Sequence, residues 1–219
     1  MLETPAAPLT SPIVVPIRSL GPGHRERIGA HLRGLDPDDR YLRFGYMATD
    51  EQIDRYVAGL DFERDEIFGI YNRRLVLIAM AHLAFSPDLE HRSCAEFGVS
   101  VVKKARGRGY GARLFERAAI HARNEGVDLM FIHALSENTA MLRIARNHGA
   151  TLERSGSETD AYLRLSPATL DSRMSEIVEE QLARTDYHLK LQARSFSAFL
   201  TGLQDVRRSL REGRHKPAG

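Results

Sequence analysis

The sequence predicts an α+β fold, a mixed and mostly antiparallel sheet flanked by helices, with a helical extension behind it. Three observations lead there. Residues 66–71 and 74–85 are short or alternating apolar runs separated by Asn72-Arg73, the pattern of paired antiparallel strands. Residues 94–102 form an apolar run that passes through a glycine-rich turn into an amphipathic helical stretch and then into another strand, 128–134. From Ser166 to Leu210 there is no strand pattern and no glycine except Gly202.

The elements follow in order. Residues 1–12 are rich in Pro, Ala and Thr and lack periodicity, so they read as a mobile tail, with a strand beginning at Ile13, Val14 and Val15. Between 22 and 35, Ile28, Leu32 and Leu35 recur at helical spacing until Asp36-Pro37 interrupts the pattern. A helix over 50–60 takes Thr49 as its N-cap, with Ile53, Val57 and Leu60 on one face. The strands 66–71, 74–85 and 94–102 come next. The helix over 110–125 turns Leu114, Phe115, Ala118, Ala119 and Ala122 inward, and Gly126 closes it. After the strand 128–134, residues 138–147 form a helix ending at His148-Gly149, and 150–165 a final hairpin. Ser166-Pro167 can begin the helical extension, in which Leu189, Ala193, Phe196, Leu200, Leu203 and Leu210 fall mostly on one stripe. That stripe is expected to pack on the domain or on a second copy, as a homodimer. The chain thus divides into a tail (1–12), a domain (13–165) and an extension (166–219).

Composition narrows the function. The 219 residues are 42% hydrophobic and 27% charged, as in a soluble globular protein. A net charge of +2, from 31 basic and 29 acidic residues, gives no broad field for a nucleic-acid backbone, so no nucleic-acid partner is expected. Cys94 is the only cysteine and can form no intrachain disulfide; the first residues lack an export pattern and no apolar stretch reaches membrane-spanning length. No membrane partner and a cytoplasmic location are the expectations.

The chemistry concentrates in VSVVKKARGRGYGARLFERAAIHA, where a strand enters Gly107, Gly109 and Gly111 and then a helix. Free N–H groups at a helix start favour an anion, and glycines let a pyrophosphate approach the backbone. Arg106 and Arg108 add positive charge. A plain strand-to-helix connection has the same glycines, so the loop alone does not decide. No Gly-Lys-Ser/Thr follows, which argues against an ATPase loop, and the preceding antiparallel strands argue against a dinucleotide fold.

The spacing Arg106-x-x-Gly109-x-Gly111 after EFGVSVV resembles the signature of the GNAT acetyltransferase superfamily, as does Asn138 followed eleven positions on by Gly149 in ENTAMLRIARNHGA. The resemblance covers residues 13–165 and implies the GNAT fold. Within the superfamily, AEFGVSVV, RGRGYG, LSENTAML and DPDDRYLRFGYMATDEQIDRYV look most like bacterial Pat-like protein-lysine acetyltransferases. It implies acetyl-CoA as cosubstrate and no metal. The backbone of Val101 and Val102 would take the pantetheine arm. Arg106, Gly107, Arg108, Gly109, Tyr110 and Gly111 would take the pyrophosphate, and Asn138 would meet the cofactor from the next helix. The acceptor would be an amine, a protein lysine or a small molecule.

Direct attack needs a neutral amine, whose unperturbed pKa is roughly 10.4 for lysine, so a base must help. Glu96, inside an otherwise apolar strand, is the candidate, on the expectation that burial raises its pKa. His82 and His133 are secondary proton-relay candidates whose plainer reading is structural hydrogen bonding. Glu137 beside Asn138 reads most simply as helix N-terminal charge. Many GNAT enzymes carry a Tyr seven residues after the helix Asn; here that position is Ala145, which keeps open a second reading, an acyl-CoA-binding module without turnover. Cys94 has no neighbouring positive charge and is not expected to be a nucleophile. The segment RYLRFGY, 40–46, would border the acceptor site by the same resemblance, or simply pack its aromatics between solvated arginines.

Overall fold

The computed structural model describes residues 15–86 and 94–187. Strand β1 (Arg18–Ser19) and a 3-10 turn (Pro22–His24) lead into three helices, α1 (Arg25–Arg33), α2 (Pro37–Phe44) and α3 (Asp50–Ala58). Strands β2 (Glu66–Tyr71), β3 (Leu77–Phe85) and β4 (Cys94–Val101) follow, then α4 (Tyr110–Asn124), β5 (Leu129–Leu135), α5 (Thr139–Asn147) and the hairpin β6 (Thr151–Ser155) and β7 (Glu158–Arg164). Residues 170–187 form a last helix, α6.

The seven strands lie in the order β1-β2-β3-β4-β5-β7-β6, and every neighbouring pair is antiparallel except β4 and β5. A parallel pair requires a crossover, which α4 supplies. Helices cover the two faces with separate cores. On one, Phe97, Leu83 and Met130 pack under α4 and α5, with the Phe97 and Phe115 rings edge-on at 5.1 Å. On the other, Ile67 and Met80 pack under Ile28, Leu32 and Ile53 of α1 and α3. The central strands β2 and β3 are buried on both faces, which is why they read as nearly continuous apolar runs.

The sequence reading of α3, α4, α5 and the hairpins holds closely. Thr49 accepts from the Gln52 amide and Gln52 returns the bond, a reciprocal cap at the start of α3. The connection between β2 and β3 is longer than a two-residue turn: Asn72 Oδ1 accepts from the Arg74 and Val76 amides, and Leu75 sits at φ 57°. One helix is new. Asp36-Pro37 is not an interruption but the start of α2: Asp36 accepts from the Asp39 amide at 3.0 Å, Pro37 fills the first helical position, and Gly45 at φ 78° ends it. At 8 residues α2 is too short for its periodicity to stand out. The N-terminal tail, Ile13 and Val14, and the stripe from Leu189 to Leu210 lie outside the described residues.

Helix α6 is capped by Thr169 and Ser172, each side chain accepting from the other's amide. It is held against α4 by charge. Arg117, only 3% exposed, meets Glu176 at 2.9 Å, Glu179 at 3.6 Å and Glu180 at 3.8 Å. Glu176 also faces His121 at 2.6 Å and receives a hydrogen bond from Asn124.

Candidate active site

Strands β4 and β5 pair over three residues only, Cys94, Ala95 and Glu96 against Leu129, Met130 and Phe131. Beyond Glu96 they part, and among the described residues no strand faces 97–101 on that side. Backbone donors therefore open into the gap. The Val102 amide donates to the Ile78 carbonyl across β3 at 3.0 Å. Alternation along the strand then turns the Val101 and Val99 amides away from β3 and into the gap. The Val102 N–H is thus committed to the sheet, and Val99 is the residue that alternates with Val101. The gap continues as a cavity of about 560 Å³ lined by Val99, Val101, Arg106, Gly109, Tyr110 and Asn138, among others.

The loop that floors this cavity uses its glycines differently. Gly107 (φ 76°) and Gly109 (φ 75°) adopt a left-handed backbone, and Gly109 is the N-cap of α4 with no side-chain cap, so the first amides of α4 are left for another acceptor. Gly111 has ordinary backbone but no space: a Cβ there would lie 3.1 Å from Ile144 Cδ1, where α4 meets α5. Arg108 is exposed on the loop. Arg106 is exposed too but folds back on the loop, its Nε donating to the Val101 carbonyl at 3.3 Å and its guanidinium paired with the buried Asp39 of α2. It braces the loop against α2, with Lys103 and Asp36 adding a second, exposed pair at 3.7 Å.

Asn138 caps α5. Its Oδ1 accepts from the Met141 amide at 3.2 Å and its Nδ2 donates to the Leu42 carbonyl at 3.4 Å, which ties α5 to α2 at the cavity wall. Ala145 is fully buried in the core under α5 and lines neither this cavity nor the next. Glu137 is exposed beside the cap, and Cys94 is half-buried at the start of β4.

A second cavity of about 290 Å³ shares Leu42, Arg43, Val99 and Asn138 with the first and adds Glu96 and His133. Glu96 stands on the last rung before the gap, opposite Ala84 and Phe131. Its burial is not as expected. Strand parity gives the core face to Ala95 and Phe97, each 1% exposed, so Glu96 lies exposed on the opposite face. His133 is exposed on that same open face, where a hydrogen bond to Asp160 at 2.6 Å raises its pKa. His82 is enclosed: Nδ1 meets Tyr56 Oη at 2.7 Å and Nε2 meets Asp65 at 3.1 Å, and burial lowers its pKa.

Segment 40–46 divides its roles. Arg40 donates to the carbonyls of Arg33, Leu35 and Ala48 and pairs with Asp50 at 2.7 Å, which makes it structural. Arg43 reaches both cavities. Sequence reasoning missed Asp39 and Tyr56, which take their meaning from contacts distant along the chain. Among the described residues, no three His, Cys, Asp or Glu side chains gather as metal ligands, and no helix is long and apolar enough to cross a membrane.

The profile described as Acetyltransferase (GNAT) family matches residues 36–150. No curated protein sequence matches the chain. Solved structures do. The GNAT domain of S. lividans PAT is 18% identical with a TM-score of 0.60, covering 73% of this chain and all of its own. The Salmonella typhimurium protein yncA, solved with its cofactor acetyl-CoA, is 16% identical with a TM-score of 0.56, over 71% of this chain and 96% of its own. A ribosomal-protein-alanine N-acetyltransferase from Brucella melitensis is 16% identical with a TM-score of 0.55, over 68% and 99%. At these identities the likeness is one of fold.

Proposed function

The chain belongs to the GNAT acetyltransferase family, an acyltransferase family that uses acetyl-CoA, and from that premise we propose that it acetylates a primary amine, of a protein lysine or a small molecule, by direct attack with Glu96 as the base. One observation carries the reading. The parting of β4 from β5 immediately after Glu96 turns free amides and a carboxylate into the same opening.

Acetyl-CoA supplies a thioester carbonyl, and the rest is work for the protein's own groups. The loop from Arg106 to Gly111, with Gly107, Arg108, Gly109 and Tyr110 between, fits a pyrophosphate through the unpaired amides and dipole of α4. The Val99 and Val101 amides run along the gap as donors for the pantetheine arm, and a donor fixed beside a carbonyl stabilises the charge that develops on it. Asn138 holds the wall between the two cavities. Glu96 receives a proton from the incoming ammonium, directly or through water. The amine nitrogen then bonds to the carbonyl carbon, the carbon–sulfur bond breaks, and the nitrogen gives up its second proton to the departing thiolate, directly or through water, so that amide and free thiol are the products and no strong acid is needed at neutral pH. Exposure leaves Glu96 accessible to a substrate amine, which a sealed carboxylate is not.

Release of free thiol from acetyl-CoA, measured over a panel of amines and lysine peptides, tests the reading. Amine-dependent release that falls in Glu96→Gln is expected. Ala145, standing where many members of the family carry a Tyr, supports the second reading, a module that binds acyl-CoA without turnover; binding of CoA with no release for any acceptor would establish it instead. A homodimer through the C-terminal helices is supported by Leu170, Met174, Ile177, Val178 and Leu182, which lie exposed along α6.

A further inference from the structure

Arg43 holds a positive charge that no carboxylate among the described residues answers. Arg33, Arg40, Arg106 and Arg117 each pair with an acidic side chain. Arg43 is half-buried and makes one hydrogen bond with the described residues, Nη2 donating to Tyr56 Oη at 3.0 Å. Its guanidinium lies flat against the backbone of β4 at Gly98, where a Cβ would stand 2.8 Å from Arg43 Cζ, so a residue with a side chain would displace it. The rings of Phe44 and Tyr56 flank it at 5.2 and 5.6 Å.

Behind Arg43 the hydrogen bonds run in one direction. Arginine can only donate, so the Tyr56 oxygen accepts from it and the single Tyr56 hydroxyl proton goes on to His82 Nδ1 at 2.7 Å. A carboxylate can only accept, so His82 Nε2–H donates to Asp65 at 3.1 Å, which fixes the neutral tautomer of His82. Asp65 also accepts from the Phe85 amide at 3.2 Å and from Arg64 at 2.9 Å. Burial disfavours the charged Asp65, but the bonds from Arg64 and His82 outweigh it and hold its pKa below the ordinary value. Arg64 answers the negative end of the chain. The positive end is left open, and it faces the cavity that also contains Glu96.

We propose that Arg43 is an anion subsite of the acceptor cavity, and that the acceptor is therefore a small amine carrying its own carboxylate, the amine turned to Glu96 and the carboxylate to Arg43. The inference rests on the transferase reading for the role of Glu96. Opposite charges at two points of one cavity match an amino-acid-like zwitterion, and about 290 Å³ sits near the low end of the roughly 300–1,000 Å³ typical of small-molecule sites. A guanidinium offers a fixed fork of donors that a carboxylate can accept in pairs, and partial burial strengthens that attraction over its value in water. The side-chain amine of a lysine within a protein brings no such partner. Tyr56, His82 and Asp65 are positioning residues, acting through the orientation of Arg43.

Calorimetric titration of the CoA-loaded protein with N-acetylglycine and with its uncharged analogue N-acetylglycinamide tests the subsite without requiring turnover. The acid is expected to bind roughly 10- to 100-fold more tightly than the amide, the scale of a charge-assisted hydrogen bond. Arg43→Gln should remove the preference while leaving amide binding and the unfolding midpoint near their original values. Tyr56→Phe should reduce it, since the fork loses its anchor and keeps its charge. Equal binding of acid and amide, binding of neither, or a preference that survives Arg43→Gln overturns the proposal. Thiol release separates it from the reading beneath it. If methylamine serves as well as glycine, the subsite falls and the transferase stands. If no amine releases thiol while acid binding still depends on Arg43, the subsite stands and the transferase falls.

Discussion

His31 joins α1 to the sheet through both ring nitrogens, its Nδ1–H donating to the Leu77 carbonyl at 3.0 Å and its Nε2 accepting from Ser100 Oγ at 2.8 Å. Burial, with the nearby charge of Arg43, lowers its pKa from 6.5 to about 4. The sign follows from where protons bind: between pH 6.5 and 4 the unfolded chain takes up a proton that the folded chain refuses, so stability falls as the pH drops through that window, by roughly 3 kcal/mol in total. Thermal unfolding of His31→Gln should be less stable at neutral pH yet flatter over that window; an unchanged slope would refute the assignment. Gly109, at φ 75°, is a second single-residue test. Gly109→Asp both strains the backbone and places a negative charge at the proposed pyrophosphate site, so CoA binding should fall at least tenfold by calorimetry. Glu96→Gln should lower kcat by roughly 10²-fold or more, with acetyl-CoA binding unchanged, as expected of a lost general base.

Helices α2 and α6 mark where single-sequence patterns run short. The start and stop of α2 were both written in the chain, as Asp36-Pro37 and Gly45, but between them lie too few turns for a periodic signal, and the segment passes for a connection. That element nonetheless carries Asp39 and Arg43, so overlooking it hides two charged residues that line the cavities. The contacts of α6 with α4 are polar and largely ionic. Removing Glu176, Glu179 and Glu180 by ending the chain at Leu165 leaves Arg117 charged against the Phe68 ring, 5.1 Å from its guanidinium, and should cost about 3–5 kcal/mol in chemical denaturation. Arg117→Met in the shortened chain should recover much of that loss; no recovery would mean that α6 stabilises through its apolar contacts instead. Burial disfavours a charged Glu176, but His121, Asn124 and Arg117 prevail and hold its pKa at about 2, below the usual 4.5. Its contribution is therefore complete above pH 4.5 and lost as the pH falls toward 2. Glu176→Gln should flatten the acid limb in that lower window, leaving unchanged the part of the His31 window that lies well above pH 4.5.

At the scale of the molecule, the groove proposed for the cofactor exists because a sheet opens. A ligand that fills the opening binds only the folded state, so acetyl-CoA at about 100 times its Kd should raise stability by about 2.7 kcal/mol, and at the same concentration Gly109→Asp should cut the rise to about 1.4 kcal/mol or less. The sequence by itself determined the strand-loop-helix unit from Cys94 to Asn124, the mixed sheet and the family signature at Arg106, Gly109, Gly111 and Asn138, because glycines, caps and alternating apolar runs act on neighbours a few residues away. Only the tertiary structure decided which side of β4 each amide faces, so that Val102 pairs with β3 and Val99 opens to the gap. It alone placed Glu96 on the exposed face, paired Arg106 with Asp39, and set Arg43 on Gly98 with Tyr56, His82 and Asp65 behind it. Those pairings join residues up to 67 positions apart, Arg106 and Asp39 among them. Register and burial at such separations are settled by how the strands and helices pack, which no local pattern encodes.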